Sequence, residues 1–138
     1  MLCLLKILLF ILKLFVYEGD LSSFENDILF ILVIKSFSDF DAKDFDADSN
    51  ITLDNDYKYN DSTDMNYFYG IHVNTDDFVI NGNNHVIDCN GKTRAFNING
   101  KNVEINNLII KNGFSNGGSA ISATSKLTLN NVTFINCS

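Results

Sequence analysis

At 138 residues the chain has the length of one ordinary domain, and 17 acidic residues against 10 basic ones give it a net charge of −7. That charge is unevenly spread, at +2 over residues 1–17, −10 over 18–69 and +1 over 70–138. No segment forms the basic patch that a phosphate backbone requires, so nucleic acid is not an expected partner.

Met1 to Tyr17, MLCLLKILLFILKLFVY, is apolar apart from Lys6 and Lys13. An early positive charge ahead of an apolar run suits a secretory signal, although no small-residue cleavage site follows. A spanning anchor needs about 20 apolar residues, and Lys13 interrupts this run. Lys6 and Lys13 also fall on one face of a helix, as in a helix lying in a membrane interface. The stretch is read as an apolar, helical leader acting as signal or membrane anchor, with a plain apolar segment as the remaining reading.

Residues 18–69 form an acidic segment. Ile28 to Ile34, ILFILVI, is too short to span a bilayer and reads as a buried strand or helical turn. Ser36 to Met65 is dense in Asp, with Phe37, Phe40 and Phe45 among the carboxylates, and is expected to be a solvated acidic edge. Asp46, Asp48 and Asn50 match the first ligand positions of a calcium loop. The pattern then fails, with Ile51 where the turn needs glycine and Tyr57 where a bidentate Glu belongs. No metal or cofactor is expected. Ile51 and Leu53 alternate with polar neighbours, so ITLDNDYKYN is expected to be a capping strand over the lower end of the coils formed by residues 70–138.

Residues 70–138 repeat. FVINGNNHVIDCN, VEINNLIIKNG and KLTLNNVTFINCS share an Asn-Asn pair flanked by runs of period two, such as Val103 and Ile105 before it and Leu108 and Ile110 after it. Asn tolerates left-handed backbone, so each pair suits a corner. A third apolar pair precedes each copy at a constant offset: Ile71 and Val73, Phe96 and Ile98, Ala120 and Ser122. Three short strands per turn of about two dozen residues describe a parallel β-helix of about three coils. Asn84, Asn107 and Asn131 would then form a structural ladder of amides. The leucine-rich horseshoe has a similar period, but Leu129, Val132, Phe134 and Asn136 fall one residue short of its motif.

The INGNNHVID opening, the VEINNLIIKNG coil and the GGSAI turn resemble the right-handed β-helix repeats of large adhesin-like surface proteins of methanogenic archaea. Those repeats are similar in turn to pectate-lyase-like and polymorphic outer-membrane repeats. The resemblance covers Gly70 to Ser138 and implies an all-β, right-handed parallel β-helix on a secreted or cell-surface protein. It leaves activity open, because one scaffold carries lyases, hydrolases and inert stalks.

The residues argue against catalysis. Glycosidic hydrolysis takes two carboxylates at a set separation, yet Asp88 aligns with Lys111 and Ile135, Glu104 with Val79 and Thr128, and Asp77 with Asn102 and Lys126. Asp76 and Asp77 are adjacent and so point to opposite sides of an extended segment. Lyase chemistry of the pectate-lyase type would draw on His85, Asp88, Lys92 and Arg94. The blander reading is a solvated loop, with His85 a corner or core imidazole holding one hydrogen bond. Cys89 and Cys137 should lie two coils apart, about 9.6 Å, which is too far for a disulfide. Four sequons, at Asn50, Asn60, Asn131 and Asn136, are compatible with a glycosylated surface protein.

The expectation is therefore a non-catalytic, secreted or cell-surface β-helix that binds surface glycans or proteins or acts as a stalk. It touches a membrane through its leader, and its uncapped last coil either continues into further repeats or associates with another chain. The alternative is a remnant or fragment of a polysaccharide lyase or hydrolase.

Overall fold

The computed structural model describes residues 34–41 and 50–138. The leader, the run from Ile28 to Val33, and Phe45, Asp46 and Asp48 lie outside the described residues. In chain order the elements are a short helix α1 (Phe37–Asp41), β1 (Asn50–Thr52), β2 (Tyr57–Lys58), a 3-10 turn (Met65–Tyr67), β3 (Ile71–Val73), β4 (Val79–Asn81) and β5 (Val86–Asp88). There follow β6 (Phe96–Ile98), β7 (Val103–Lys111), β8 (Ile121–Ala123) and β9 (Leu127–Ile135).

Every paired strand runs parallel to its neighbours, and the strands wind into a β-solenoid of about three turns. One wall stacks β1, β4 and the first halves of β7 and β9. A second stacks β2, β5 and the second halves of β7 and β9, and a third stacks β3, β6 and β8. β7 and β9 serve two walls each because they turn at Asn107 and Asn131 without leaving the ladder.

Period-two alternation becomes columns of inward side chains. Ile80 pairs with Ile105 and Ile105 with Leu129. Ile87 pairs with Ile110 and Ile110 with Phe134, while Ile71 and Val73 pair with Phe96 and Ile98. In the two lower coils these side chains are sealed from solvent, each fully buried one being worth about 1.5–3 kcal/mol of apolar burial.

The lower coil departs from the spacing that the Asn-Asn pairs suggest. Asn81 pairs with Asn106 and Val86 with Ile109, so four residues, Gly82 to His85, stand where the next coil has only Asn107 and Leu108. They close a tight turn, in which His85 N–H donates to Gly82 O at 2.8 Å. Asn83 and Asn84 hold φ of 50° and 62°, the left-handed pair that a type I′ turn requires. Gly82 has no Cβ because one would stand 2.5 Å from Asn107 O.

The acidic segment is not a solvated edge throughout. β1 and β2 form a partial lowest coil beneath β4 and β5, with Leu53, Tyr57 and Tyr59 buried. Beneath it α1 turns Phe37 and Phe40 inward, both fully buried, with edge-to-face contacts to Tyr59 at 5.6 Å and Tyr57 at 5.0 Å. The physical reason is helical spacing: residues three apart share a face, so Asp39 points out while its aromatic neighbours plug the end. Ser36 and Asp39 cap the helix reciprocally, with Ser36 N–H donating to Asp39 Oδ2 and Asp39 N–H to Ser36 Oγ.

Asp64, fully buried, clamps this plug from the turn above. Its Oδ2 accepts from Phe37 N–H at 3.0 Å and Asn60 N–H at 2.8 Å. Its Oδ1 accepts from Ser38 N–H at 3.0 Å and Ser38 Oγ at 2.9 Å. A carboxylate taken out of water needs such donors. Among the described residues no helix is long and apolar enough to cross a membrane.

Candidate functional site

The walls and corners carry columns of amide side chains. All nine non-glycine residues with left-handed backbone among those described are asparagines except Asp77, with φ from 50° to 62°. Apart from Asn83, Asn84 and Asn90 they sit at corners in vertical register: Asn107 and Asn131; Asn112 and Asn136; Asp77 and Asn102. Asparagine is favoured there because its side chain lowers the usual steric cost of that backbone.

Successive coils are joined by these side chains in one sense, with the upper amide donating to the lower oxygen. Asn131 Nδ2 donates to Asn107 Oδ1 at 2.9 Å, Asn130 Nδ2 to Asn106 Oδ1 at 2.8 Å and to Glu104 Oε1 at 3.1 Å. Asn102 Nδ2 donates to Asp77 Oδ1 at 3.0 Å and Asn99 Nδ2 to Asn74 Oδ1 at 3.0 Å. Asn84 meets Asn107 differently, through its backbone N–H to Asn107 O at 2.8 Å. The column through Asn81, Asn106 and Asn130, aligned strand by strand, carries no Asn-Asn dipeptide in its lowest member and could have been found only from the true register.

A charged column crosses the second wall. Asp88 pairs with Lys58 below and Lys111 above, its Oδ2 3.9 Å and 3.6 Å from their ammonium nitrogens. Asn112 Nδ2 and Asn90 N–H both donate to Asp88 Oδ1 at 2.9 Å. Burial works against ionisation of Asp88, but these hydrogen bonds and the two lysines outweigh it and hold the carboxyl below the usual carboxylate range. Alternating signs on adjacent strands are the favourable cross-strand pattern. Beside it Asp56 Oδ1 accepts from Val86 N–H at 3.0 Å and lies 3.1 Å from His85 Nδ1. His85 is thus a corner imidazole tied to a carboxylate, while Leu108 fills the core.

The remaining candidates do not converge. Arg94 reaches Ser115 Oγ through Nη2, with its Nε buried and unpartnered, and Lys92 is exposed. Asp76 and Asp77 are exposed and face the coil above, Asp76 accepting from Lys101 N–H at 2.8 Å. Among the described residues no three His, Cys, Asp or Glu side chains come together as metal ligands. Cys89 is buried and Cys137 half-buried, both as free thiols, and burial pushes the Cys89 thiol up. Of the sequons, Asn60 lies in an exposed turn with Oδ1 accepting Ser62 N–H at 2.9 Å, Asn50 begins β1, and Asn131 and Asn136 occupy corners.

No family model, curated protein or solved structure matches the chain.

Proposed function

We propose that this is a non-catalytic, adhesin-like protein, secreted or held at the cell surface, whose right-handed β-helix serves as a binding surface or stalk. The observation that carries this reading is the set of amide columns. Asn106 and Asn130, like Asn107 and Asn131, stand one strand spacing apart on a rigid wall, about 4.8 Å. A regular row of amides suits a repeating polar polymer such as a surface glycan, because each further sugar meets another copy of the same donors and acceptors. Rigid walls also cost little ordering on binding.

The lyase reading would require Asp88 free to take calcium and Arg94 free to take a proton. Asp88 is instead engaged by Lys58, Lys111, Asn90 and Asn112, and Arg94 reaches Ser115. A glycan array probed with the full chain tests the proposal: binding to a surface polysaccharide, lost in Asn106→Ala with Asn130→Ala, is the expected result. No binding together with cytosolic recovery on fractionation would overturn it. Release of unsaturated or reducing sugar from acidic polysaccharides, with or without calcium, would favour the enzymatic alternative.

A further inference from the structure

Asn50, Asn60, Asn131 and Asn136 each open an Asn-x-Ser/Thr sequon, the motif at which an oligosaccharide is joined to an asparagine of an exported protein. Folding makes the four unequal. Asn60 follows β2, in a run where Asn60, Asp61, Ser62 and Thr63 are all exposed. Its Oδ1 accepts Ser62 N–H at 2.9 Å. Its carbonyl accepts Thr63 N–H at 3.1 Å and Asp64 N–H at 2.8 Å, and its own N–H donates to Asp64 Oδ2 at 2.8 Å. The side chain is thereby held over its own turn, while Asn60 Nδ2 and the Ser62 hydroxyl carry no hydrogen bond among the described residues.

The other three sequons differ at these same atoms. Asn131 Nδ2 donates to Asn107 Oδ1 at 2.9 Å, so that amide is already a rung of the ladder. Asn50 opens β1, and its partner in the motif, Thr52, pairs with Asn81 in the sheet, as Thr133 pairs with Ile109. Ser138 N–H donates to Gly113 O at 3.0 Å and not to Asn136. Of the four, Asn60 is the one at which the hydroxyl-bearing residue turns its N–H back onto the asparagine.

Every bond that shapes this turn joins residues at most four apart. Local side-chain to backbone bonds of this kind form without tertiary partners. The turn is therefore open to a transferring enzyme both before the coils stack and afterwards. Asn131, by contrast, takes its place against a partner 24 residues away.

We propose that Asn60 is the acceptor for an N-linked oligosaccharide delivered from an isoprenoid phosphate carrier. In the transfer, C1 of the first sugar bonds to Nδ2, the bond from C1 to the carrier's phosphate oxygen breaks, and the phosphate leaves with the electron pair. Nδ2 gives up one proton to the transferase, and nothing is oxidised or reduced. The hydrogen bond at Oδ1 polarises the carboxamide and makes that proton easier to remove. The Ser62 hydroxyl is free to be read by the transferase. The fold loses nothing in the exchange, because Oδ1 and the backbone keep their bonds to Ser62, Thr63 and Asp64. The inference rests on the reading of the chain as secreted or surface-held, and it does not depend on what the amide columns bind.

Two measurements keep the site and that reading apart. In the first, the full chain is incubated with a purified oligosaccharyltransferase and its isoprenoid-linked oligosaccharide, and glycopeptides are mapped by mass spectrometry. Asn60 should carry the glycan, with Asn131 bare. Occupancy should fall to background in Asn60→Gln and in Ser62→Ala, and persist in Ser62→Thr, which keeps the hydroxyl. A bare Asn60, transfer led by any of the other three asparagines, or full occupancy in Ser62→Ala would overturn the proposal. In the second, the chain is recovered from its own cells after fractionation. Exported chain bearing a glycan at Asn60 is the expected result, and exported chain with Asn60 bare would overturn the proposal while leaving the reading of export intact. Chain recovered from the cytosol would overturn that reading, and the modification in the cell with it, whatever the purified transferase does.

Discussion

Ile105 and Leu129 share a column one coil apart, yet the first is sealed and the second is two-fifths exposed. At the other end Phe37 and Phe40, set among aspartates, are fully buried. The contrast between the closed lower end and the open upper end teaches that in a solenoid the burial of an inward side chain depends on a layer above as well as below it. The lower end has that layer because a five-residue helix with two aromatics turns under the first coil, held by one buried carboxylate. The upper end has the same inward apolar chemistry and, among the described residues, nothing over it.

The sharpest test of this contrast is a pair of aromatic truncations. Phe40→Ala should cost about 4 kcal/mol, the usual loss for a buried aromatic, in denaturant unfolding. Phe134→Ala, measured on dilute protein, should cost under about 1 kcal/mol, as for surface positions. Equal losses would break the distinction between the ends. Next in size, Ile105→Ala should cost about 3 kcal/mol through the cavity it leaves, with Leu129→Ala again far smaller.

Asp64→Ala removes the acceptor for the N–H groups of Phe37, Ser38 and Asn60. It should cost about 2 kcal/mol, in the range for hydrogen bonds to a charged group. Amide exchange should rise selectively in α1 and in the turn from Asn60 to Asp64. Uniform exchange across all coils would instead show that the plug and the solenoid open together.

A smaller effect is expected at the corners. Asn107→Ala should lose about 1–2 kcal/mol, as left-handed backbone penalises a Cβ. Asn107→Gly should recover most of the loss, because glycine adopts that backbone freely. The smallest effects concern pH. Asp88 is held below its ordinary range in the folded chain, so its contribution is fully present above its unfolded pKa of about 4. As pH falls further the unfolded chain takes up the proton first and stability declines. Asp88→Asn should flatten that acid limb. Burial first, then Asp54, pushes the Tyr57 phenol up. Stability should therefore fall as pH rises past about 10, where the unfolded phenol ionises, and Tyr57→Phe should remove that slope.

The solenoid was legible because period-two alternation and a near-constant repeat are both properties of the linear chain. Leu129 above Ile105 and Lys111 above Asp88 follow from counting alone. Counting failed at Asn84, where a tight turn adds two residues to the corner and moves the pairing to Asn81 with Asn106. It failed again at Phe37 and Phe40, whose spacing of three and capping pair Ser36 and Asp39 were a helix signal hidden in a run of aspartates. Asp64 could not be told from its solvated neighbours, because its donors in α1 lie more than two dozen residues away.

By itself, then, the chain determined the coiled arrangement of its strands, the stacking of Ile105 under Leu129 and the asparagine corners, since each depends on residues close in sequence or at a regular interval; on the third wall counting from Ala120 and Ser122 was one residue off, because Ile121 and Ala123 pair with Phe96 and Ile98. Only the tertiary structure decided which end is sealed, which aspartate is buried and which asparagines bond. Those outcomes depend on contacts between segments with no periodic relation, and a buried polar group is identified by the partners that folding brings to it.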